Sequence, residues 1–299
     1  MPAELLDAKI KAFKRKLHRR VLRARKAVHR ALHPAAAAKH VVFVLGCQRS
    51  GTTMLLATLN ESAQIDVYYE SDERAFESFR LRERDVVEPL IASSTATAVA
   101  LKPICDSHLA PELLSAYAGS KGIWIYRDYR DVANSALAKW GNDAVDFLRW
   151  GSRQRGLSQE TLDRVRRVWR PGIAPHEAFA LFWYQRNHLF FDLDLANDPR
   201  VLLVRYENLV TKPQEFFPPV FAFIAVPFSK RLISRVSPAS VRKNAAPRFQ
   251  PGISVMCEDL MQRLDRTQAP QRLDAAMEPA GVCDPAQQGA IAPNARGDM

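Results

Sequence analysis

Apolar and polar positions change rhythm several times along the chain, and each rhythm predicts an element. In residues 5–32 the apolar residues Leu6, Ile10, Phe13, Leu17, Val21, Val28 and Leu32 recur mostly every three or four positions, with Lys and Arg filling the other faces. That pattern predicts an amphipathic helix roughly 40 Å long. His33-Pro34 and the alanines after it mark a break, because a residue preceding proline is pushed out of helical geometry. Residues 40–45 (His-Val-Val-Phe-Val-Leu) then form a short β-rich apolar run, the pattern of a strand buried on both faces. Similar runs at residues 98–101, 123–126 and 201–204 predict further strands. Helical stretches are expected at residues 52–59, 110–117, 132–140 and 213–223. Strands alternating with helices predict an α/β fold with a parallel sheet covered on both faces.

Residues 142–195 are rich in Arg and Trp, mostly helical in pattern and without a clear strand, so they read as a lid or substrate insert. After about Thr267 the composition turns to Pro, Ala, Gln and Gly, which predicts disorder. The expected organisation is a basic helix over residues 1–38, one domain over residues 39–268 and a disordered tail over residues 269–299.

Composition adds bounds to this outline. With 47% hydrophobic and 9% aromatic residues, the 299-residue chain can bury a sizeable core, and global disorder is excluded. The net charge of +11 is uneven: residues 1–40 hold 12 Lys and Arg against 2 acidic residues, so the rest is nearly neutral. The basic balance belongs to the helix, and no nucleic-acid partner is expected of the domain. A basic amphipathic helix can lie on an anionic membrane surface, join copies into a homo-oligomer, dock on an acidic partner or simply pack on its own domain.

Cys47, Cys105, Cys257 and Cys283 lie far apart without a CxxC or Cys/His cluster, which argues against a zinc ribbon or a disulfide framework. No run of 18 apolar residues and no secretory leader is visible. The expected setting is cytoplasmic, with the helix allowing a peripheral place at the inner membrane surface.

The chemistry starts after the first strand. Gly46-Cys47-Gln48-Arg49-Ser50-Gly51-Thr52-Thr53 stands between a strand and a helix, with its two glycines five residues apart. Such a loop can turn successive N–H groups inward, and the following helix aims its positive end at the same place. A phosphate is the natural occupant, with Arg49 and the hydroxyls of Thr52 and Thr53 as further donors. Thr52 stands where the nucleotide-triphosphatase pattern requires Lys, which argues against ATP or GTP hydrolysis.

In the segment from Ile125 to Ser135, Arg127 falls at the carboxyl end of a strand, where open α/β sheets collect ligands. Asp131 and Ser135, four apart, share one helical face. Arg127 and the Ser135 hydroxyl can clamp a second phosphate. The same residues can also form an Arg–Asp surface network with a cap at Asp128.

Together these motifs resemble the sulfotransferases that use 3′-phosphoadenosine 5′-phosphosulfate (PAPS) as donor. The resemblance rests on Arg49-Ser50-Gly51-Thr52-Thr53, on Arg127 and Ser135 with seven residues between them, and on Val204-Arg205-Tyr206-Glu207-Asn208-Leu209. It spans roughly residues 41–228 and implies a three-layer α/β sandwich of the P-loop type. It also implies a PAPS site formed by Gln48, Arg49, Ser50, Gly51, Thr52 and Thr53 for the 5′-phosphosulfate and by Arg127 and Ser135 for the 3′-phosphate. Tyr206 is then either on the adenine side or a core residue. Arg242 and Lys243 match a basic loop of relatives, although the glycines of that loop are replaced by Asn244-Ala245-Ala246.

The resemblance further implies Lys102, between the two phosphate motifs, as the active-site Lys; with Arg49 it would stabilise the transferring group. No cluster of metal ligands is visible, and none is expected. The position of the His base of one family branch is Ile104 here, so the expected base is Glu70, as in the branch acting on tyrosyl residues and some sugars. Asp106 and His108 are reserves, and Glu73 is a neighbour. The acceptor is expected to be a hydroxyl of a carbohydrate, lipid or small metabolite, contacted by the insert, where Trp183, Tyr184, Arg186 and Asn187 can line a cleft. The competing readings are a P-loop small-molecule kinase and a noncatalytic membrane-surface scaffold.

Overall fold

The computed structural model describes residues 3–32, 39–141 and 143–277. After α1 (Ala3–Leu32) the chain forms β1 (His40–Gly46), α2 (Thr52–Asn60), β2 (Ile65–Tyr68), the two-stranded ribbon β3 (Phe76–Glu77) and β4 (Arg80–Leu81), α3 (Arg84–Ser93) and β5 (Ala98–Leu101). It continues with α4 (Ala110–Ala116), β6 (Lys121–Tyr126), α5 (Tyr129–Trp140), α6 (Ala144–Ser152), α7 (Gln159–Val168) and α8 (Pro175–Asp192). β7 (Val201–Arg205), α9 (Tyr206–Thr211), α10 (Pro213–Phe223) and α11 (Pro251–Met277) complete it.

The central sheet is parallel, with strand order β2-β5-β1-β6-β7. Successive residues of β1 face opposite sides, as strand geometry requires. Phe43 and Leu45 join Trp124, Tyr126 and Leu203 in one core, against α5 and α8, while Val42 and Val44 join Ile123, Ile125 and Val204 in the other, against α2 and α10. The result is a mixed α/β sandwich with β1 at its centre. Because the strands are parallel, the segments after β1, β2, β5, β6 and β7 all emerge at one edge. That edge holds the site.

Three features differ from expectation. The edge strand β2 was not foreseen, because Asp66 interrupts an apolar run of four residues. The second half of the expected insert is core: Ala178 to Asn187 on α8 are all buried, so α8 is a structural layer and not a lid. The tail expected to be disordered from residue 269 is helical as far as Met277, the end of α11; the remainder and Cys283 lie outside the described residues. Among the described residues no helix is long and apolar enough to cross a membrane.

Candidate active site

The loop between β1 and α2 is shaped by two glycines. A Cβ on Gly46 would stand 2.4 Å from the carbonyl oxygen of Ile125, and one on Gly51 would stand 2.1 Å from Cδ2 of Tyr206. Gly51 also has φ 95°, in the left-handed region where a side chain is strained. Arg49 is left-handed as well, with φ 68°. α2 starts at Thr52 without a side-chain cap, so its first N–H groups remain free for an anion. Ser50 Oγ and Gln48 Oε1 are buried without a hydrogen-bond partner in the protein. Buried polar atoms are rarely left unmatched, so the Ser50 hydroxyl is available as a donor to an oxyanion in this loop.

A cleft of about 280 Å³ opens beside this loop. It brings together Gln48, Arg49, Gly51, Thr52 and Thr53 from the loop, Glu70 from the segment after β2, Lys102 from the end of β5, and Arg127 and Ser135 from the β6–α5 unit. The buried Lys102 ammonium donates to Thr53 Oγ1 at 2.8 Å and pairs with Glu70 Oε2 at 2.6 Å. Arg49 Nε donates to Ser135 Oγ at 3.0 Å, and its guanidinium lies 5.9 Å from the ring centre of Trp140. Burial and the nearby charge of Arg127 hold the Arg49 pKa below its ordinary value.

The Arg–Asp network and the helix cap of the second motif are both formed, and Arg127 and Ser135 also line the cleft. Asp128 caps α5 by accepting from the Arg130 N–H, and Arg127 pairs with Asp131 at 2.9 Å while also lining the cleft. Nε of Arg127 is buried and unpartnered. Trp183 Nε1 donates to the Arg127 carbonyl at 2.9 Å, so α8 fixes the backbone at this corner. A second cavity of about 330 Å³ continues past Arg127 and Ser135 towards Lys139 and Lys243. The cleft therefore joins a loop suited to one phosphate and a cationic corner suited to another.

Several expected residues fall elsewhere. Tyr206 is buried beneath the loop, its ring 4.6 Å from the Arg127 guanidinium carbon, and supports the site as a core residue. The Arg242 side chain is exposed and lines neither cavity, although its N–H donates to Asp131 at 3.0 Å. Asp106 is occupied by Arg80 at 2.6 Å and by the Leu81 N–H at 2.8 Å. Burial, with the charges of Arg186 and Arg80, pushes the His108 pKa down to about 4. Trp183, Tyr184, Arg186 and Asn187 are buried, and Arg186 donates to the carbonyls of Gly46 and Ile104. Burial pushes the Cys47 thiol up to about 12, so it is a space-filling residue of the loop.

Trp140 and Ser240 line the cleft but were not foreseen. Ser240 comes from a segment distant in sequence, which its carbonyl ties to Arg127 and its hydroxyl to Tyr206. The one signal for Trp140 was its place at the end of the helix that begins after Arg127.

A third cavity, of about 480 Å³, meets the cleft at Glu70 and is bordered by Glu73, Phe76, Glu77, Phe79 and Arg82. Its wall is the β3–β4 ribbon. The turn residues Ser78 and Phe79 both have positive φ, 50° and 65°, where Asn-Gly is the usual choice. Among the described residues no group of three or more His, Cys, Asp or Glu is placed to hold a metal ion.

A parallel sheet with an uncapped Gly-bracketed loop and a second cationic corner beside it gives the cleft two places able to hold anionic groups. The family model for the sulfotransferase domain matches residues 39–246, and the chain belongs to that family. Its activity is sulfuryl transfer. Among solved structures it is similar to the sulfotransferase domain from the curacin biosynthetic pathway (16% identity, TM-score 0.45, covering 76% of this chain and 99% of that one). It is also similar to a sulfotransferase from Alicyclobacillus acidocaldarius (18%, 0.45, 81% and 96%) and to a mouse sulfotransferase complexed with PAP (14%, 0.43, 80% and 89%). No curated protein sequence matches the chain.

Proposed function

We propose that this sulfotransferase moves the sulfuryl group of PAPS to a hydroxyl of a carbohydrate, lipid or small metabolite, with Glu70 as general base. The observation that carries the reading is the placement of one ammonium, Lys102, between Thr53 of the phosphate loop and the Glu70 carboxylate. A single residue thereby connects the donor end of the cleft with the base. The donor set fits PAPS: the loop N–H groups, Ser50 and Thr52 would hold the 5′-phosphosulfate, and Arg127 with Ser135 the 3′-phosphate.

PAPS supplies the activated sulfuryl group. Glu70 accepts the acceptor's hydroxyl proton as the new O–S bond forms and the S–O bond to the 5′-phosphate breaks. Lys102 and Arg49 face the negative charge that develops on the transferring group and the departing phosphate, where fixed cations act without reorganisation. Withdrawing Lys102 towards that charge also frees Glu70 to take the proton. The acceptor would reach Glu70 through the cavity walled by the β3–β4 ribbon, since α8 is committed to the core. The catalytic unit begins at residue 39 and ends within α11.

The test is calorimetric titration with adenosine 3′,5′-bisphosphate, the desulfated donor, with ATP in parallel. Binding of the bisphosphate in the micromolar range, lost in Arg127→Ala and weaker for ATP, is expected. No binding, or tighter binding of ATP, overturns the assignment.

A further inference from the structure

α1 lies against the domain the wrong way round for a helix that packs by its apolar stripe. Its inward face is largely polar. His18 contacts Glu61 at 2.7 Å, Lys26 donates to Asn60 Oδ1 at 2.7 Å and to the Ile65 carbonyl at 2.6 Å, and Arg30 meets Asp66 at 2.6 Å. Arg25 also bonds the Glu61 carbonyl. Leu22, 5% exposed, is the buried apolar side chain in their midst. These contacts hold the helix to the end of α2, the turn after it and the start of β2.

The apolar stripe consequently points outward. Phe13, Leu17, Val21, Val28 and Leu32 are exposed by 51–72%. At 100° per residue they fall within one arc of about 100°, and over 19 residues they extend about 28 Å along the axis. Lys16, Arg20 and Arg23, all exposed, border one side of that arc. The helix carries 11 Lys and Arg against 2 acidic residues.

We propose that this outward face binds the surface of an anionic lipid bilayer, with the five apolar side chains at the acyl boundary and the flanking cations among the headgroups. Charge complementarity selects this occupant. A second copy of α1 would set two strongly cationic helices side by side, whereas anionic headgroups neutralise the same charges. An apolar stripe has no use in a nucleic-acid groove. The docking contacts explain how the stripe stays outward: the cations on the inward face are spent on acceptors of the domain, so the domain itself presents the other face.

The experiment is co-sedimentation of the full chain with vesicles of phosphatidylcholine alone, or with about 30 mol % phosphatidylserine, a content giving the anionic surface potential of a cytoplasmic leaflet. Binding to the anionic vesicles is expected, at least about tenfold tighter than to the neutral ones and weakening with salt. L17E combined with V21E should lower it by about tenfold or more. Arg20→Gln and Arg23→Gln should each lower it about fivefold. Binding of adenosine 3′,5′-bisphosphate by the Leu17/Val21 double variant, measured against the unaltered chain, reports whether the domain is intact independently of lipid. Failure to bind anionic vesicles overturns the proposal, as does binding unaffected by L17E and V21E. A dimer seen by analytical ultracentrifugation without lipid, and lost in the same variant, assigns the face to a second copy and also overturns it.

Discussion

Nζ of Lys102 lies 2.6 Å from Oε2 of Glu70, across the junction of two strand ends. β2 and β5 are neighbours in register, with Tyr68 opposite Leu101, so the residues just beyond both strands are brought together by the sheet itself. Both residues line the cleft beside the β1–α2 loop, and Glu70 also lines the ribbon-walled cavity.

Replacing either member separates binding from chemistry. Glu70→Gln keeps the shape of the proposed base and removes its proton affinity, so kcat should fall by about 10²–10⁴-fold. Lys102→Met should lower kcat by about 10²–10³-fold through lost charge stabilisation. Steady-state rates with adenosine 3′,5′-bisphosphate affinity measured alongside check this. A variant that loses affinity and rate together would place the residue in donor binding instead.

Arg127 and Ser135 should differ in their structural cost. Among the described residues, Arg127→Met leaves the buried Asp131 with the Arg242 N–H as its partner, costing roughly 3–5 kcal/mol of stability. It should also weaken bisphosphate binding about 10–100-fold. Ser135→Ala removes one hydroxyl at the cleft and should weaken binding by less than about tenfold with little change in stability. Urea denaturation and calorimetry on both variants distinguish the two roles.

Gly51 is required by both space and torsion. Gly51→Ala places a methyl group 2.1 Å from the Tyr206 ring at φ 95°, so stability should fall by roughly 2–4 kcal/mol. Adding Tyr206→Leu relieves the contact but not the torsion. The double variant should therefore recover part of the loss, measurable as a coupling energy of about 1–2 kcal/mol in a denaturation cycle.

Phe79 is 59% exposed in a left-handed conformation at the ribbon tip. Phe79→Gly should stabilise the fold by about 1 kcal/mol by relieving that strain. If the ribbon borders the acceptor, the same variant raises the acceptor KM and leaves bisphosphate affinity unchanged. An unchanged KM for every acceptor accepted by the enzyme counts against that cavity.

Acid sensitivity should arise in part at His108. Its pKa is pushed down to about 4 in the folded protein from 6.5. Between these values the unfolded chain binds a proton that the folded one refuses, so stability falls as pH drops through that window and levels off for this group below it. His108→Gln should flatten the dependence by at most about 1.4 kcal/mol per pH unit, read from urea midpoints across the window.

Much of the fold was legible in sequence because its signals are local. Short apolar runs bounded by Gly and polar residues marked β1, β5, β6 and β7, and two glycines bracketing Arg49 and Ser50 marked the tight loop between β1 and α2. Arg127 and Ser135 were visible through their spacing after a strand. β2 was hidden, since an edge strand of four residues with Asp66 in it has no distinctive period.

Sequence alone thus determined a β–α architecture and a Gly-bracketed loop without the triphosphatase Lys, and its resemblance to sulfotransferases singled out the residues proposed for the site. Tertiary structure decided which of them meet. The pairing of β2 with β5 placed Glu70 against Lys102, and packing made Tyr206 a support and α8 a core layer. A distant segment supplied Ser240. Folding also turned the apolar stripe of α1 away from the domain, because the acceptors offered by the α2–β2 segment satisfy its cations better than its leucines and valines. Such outcomes depend on which surfaces compete for one another, and no local periodicity carries that information.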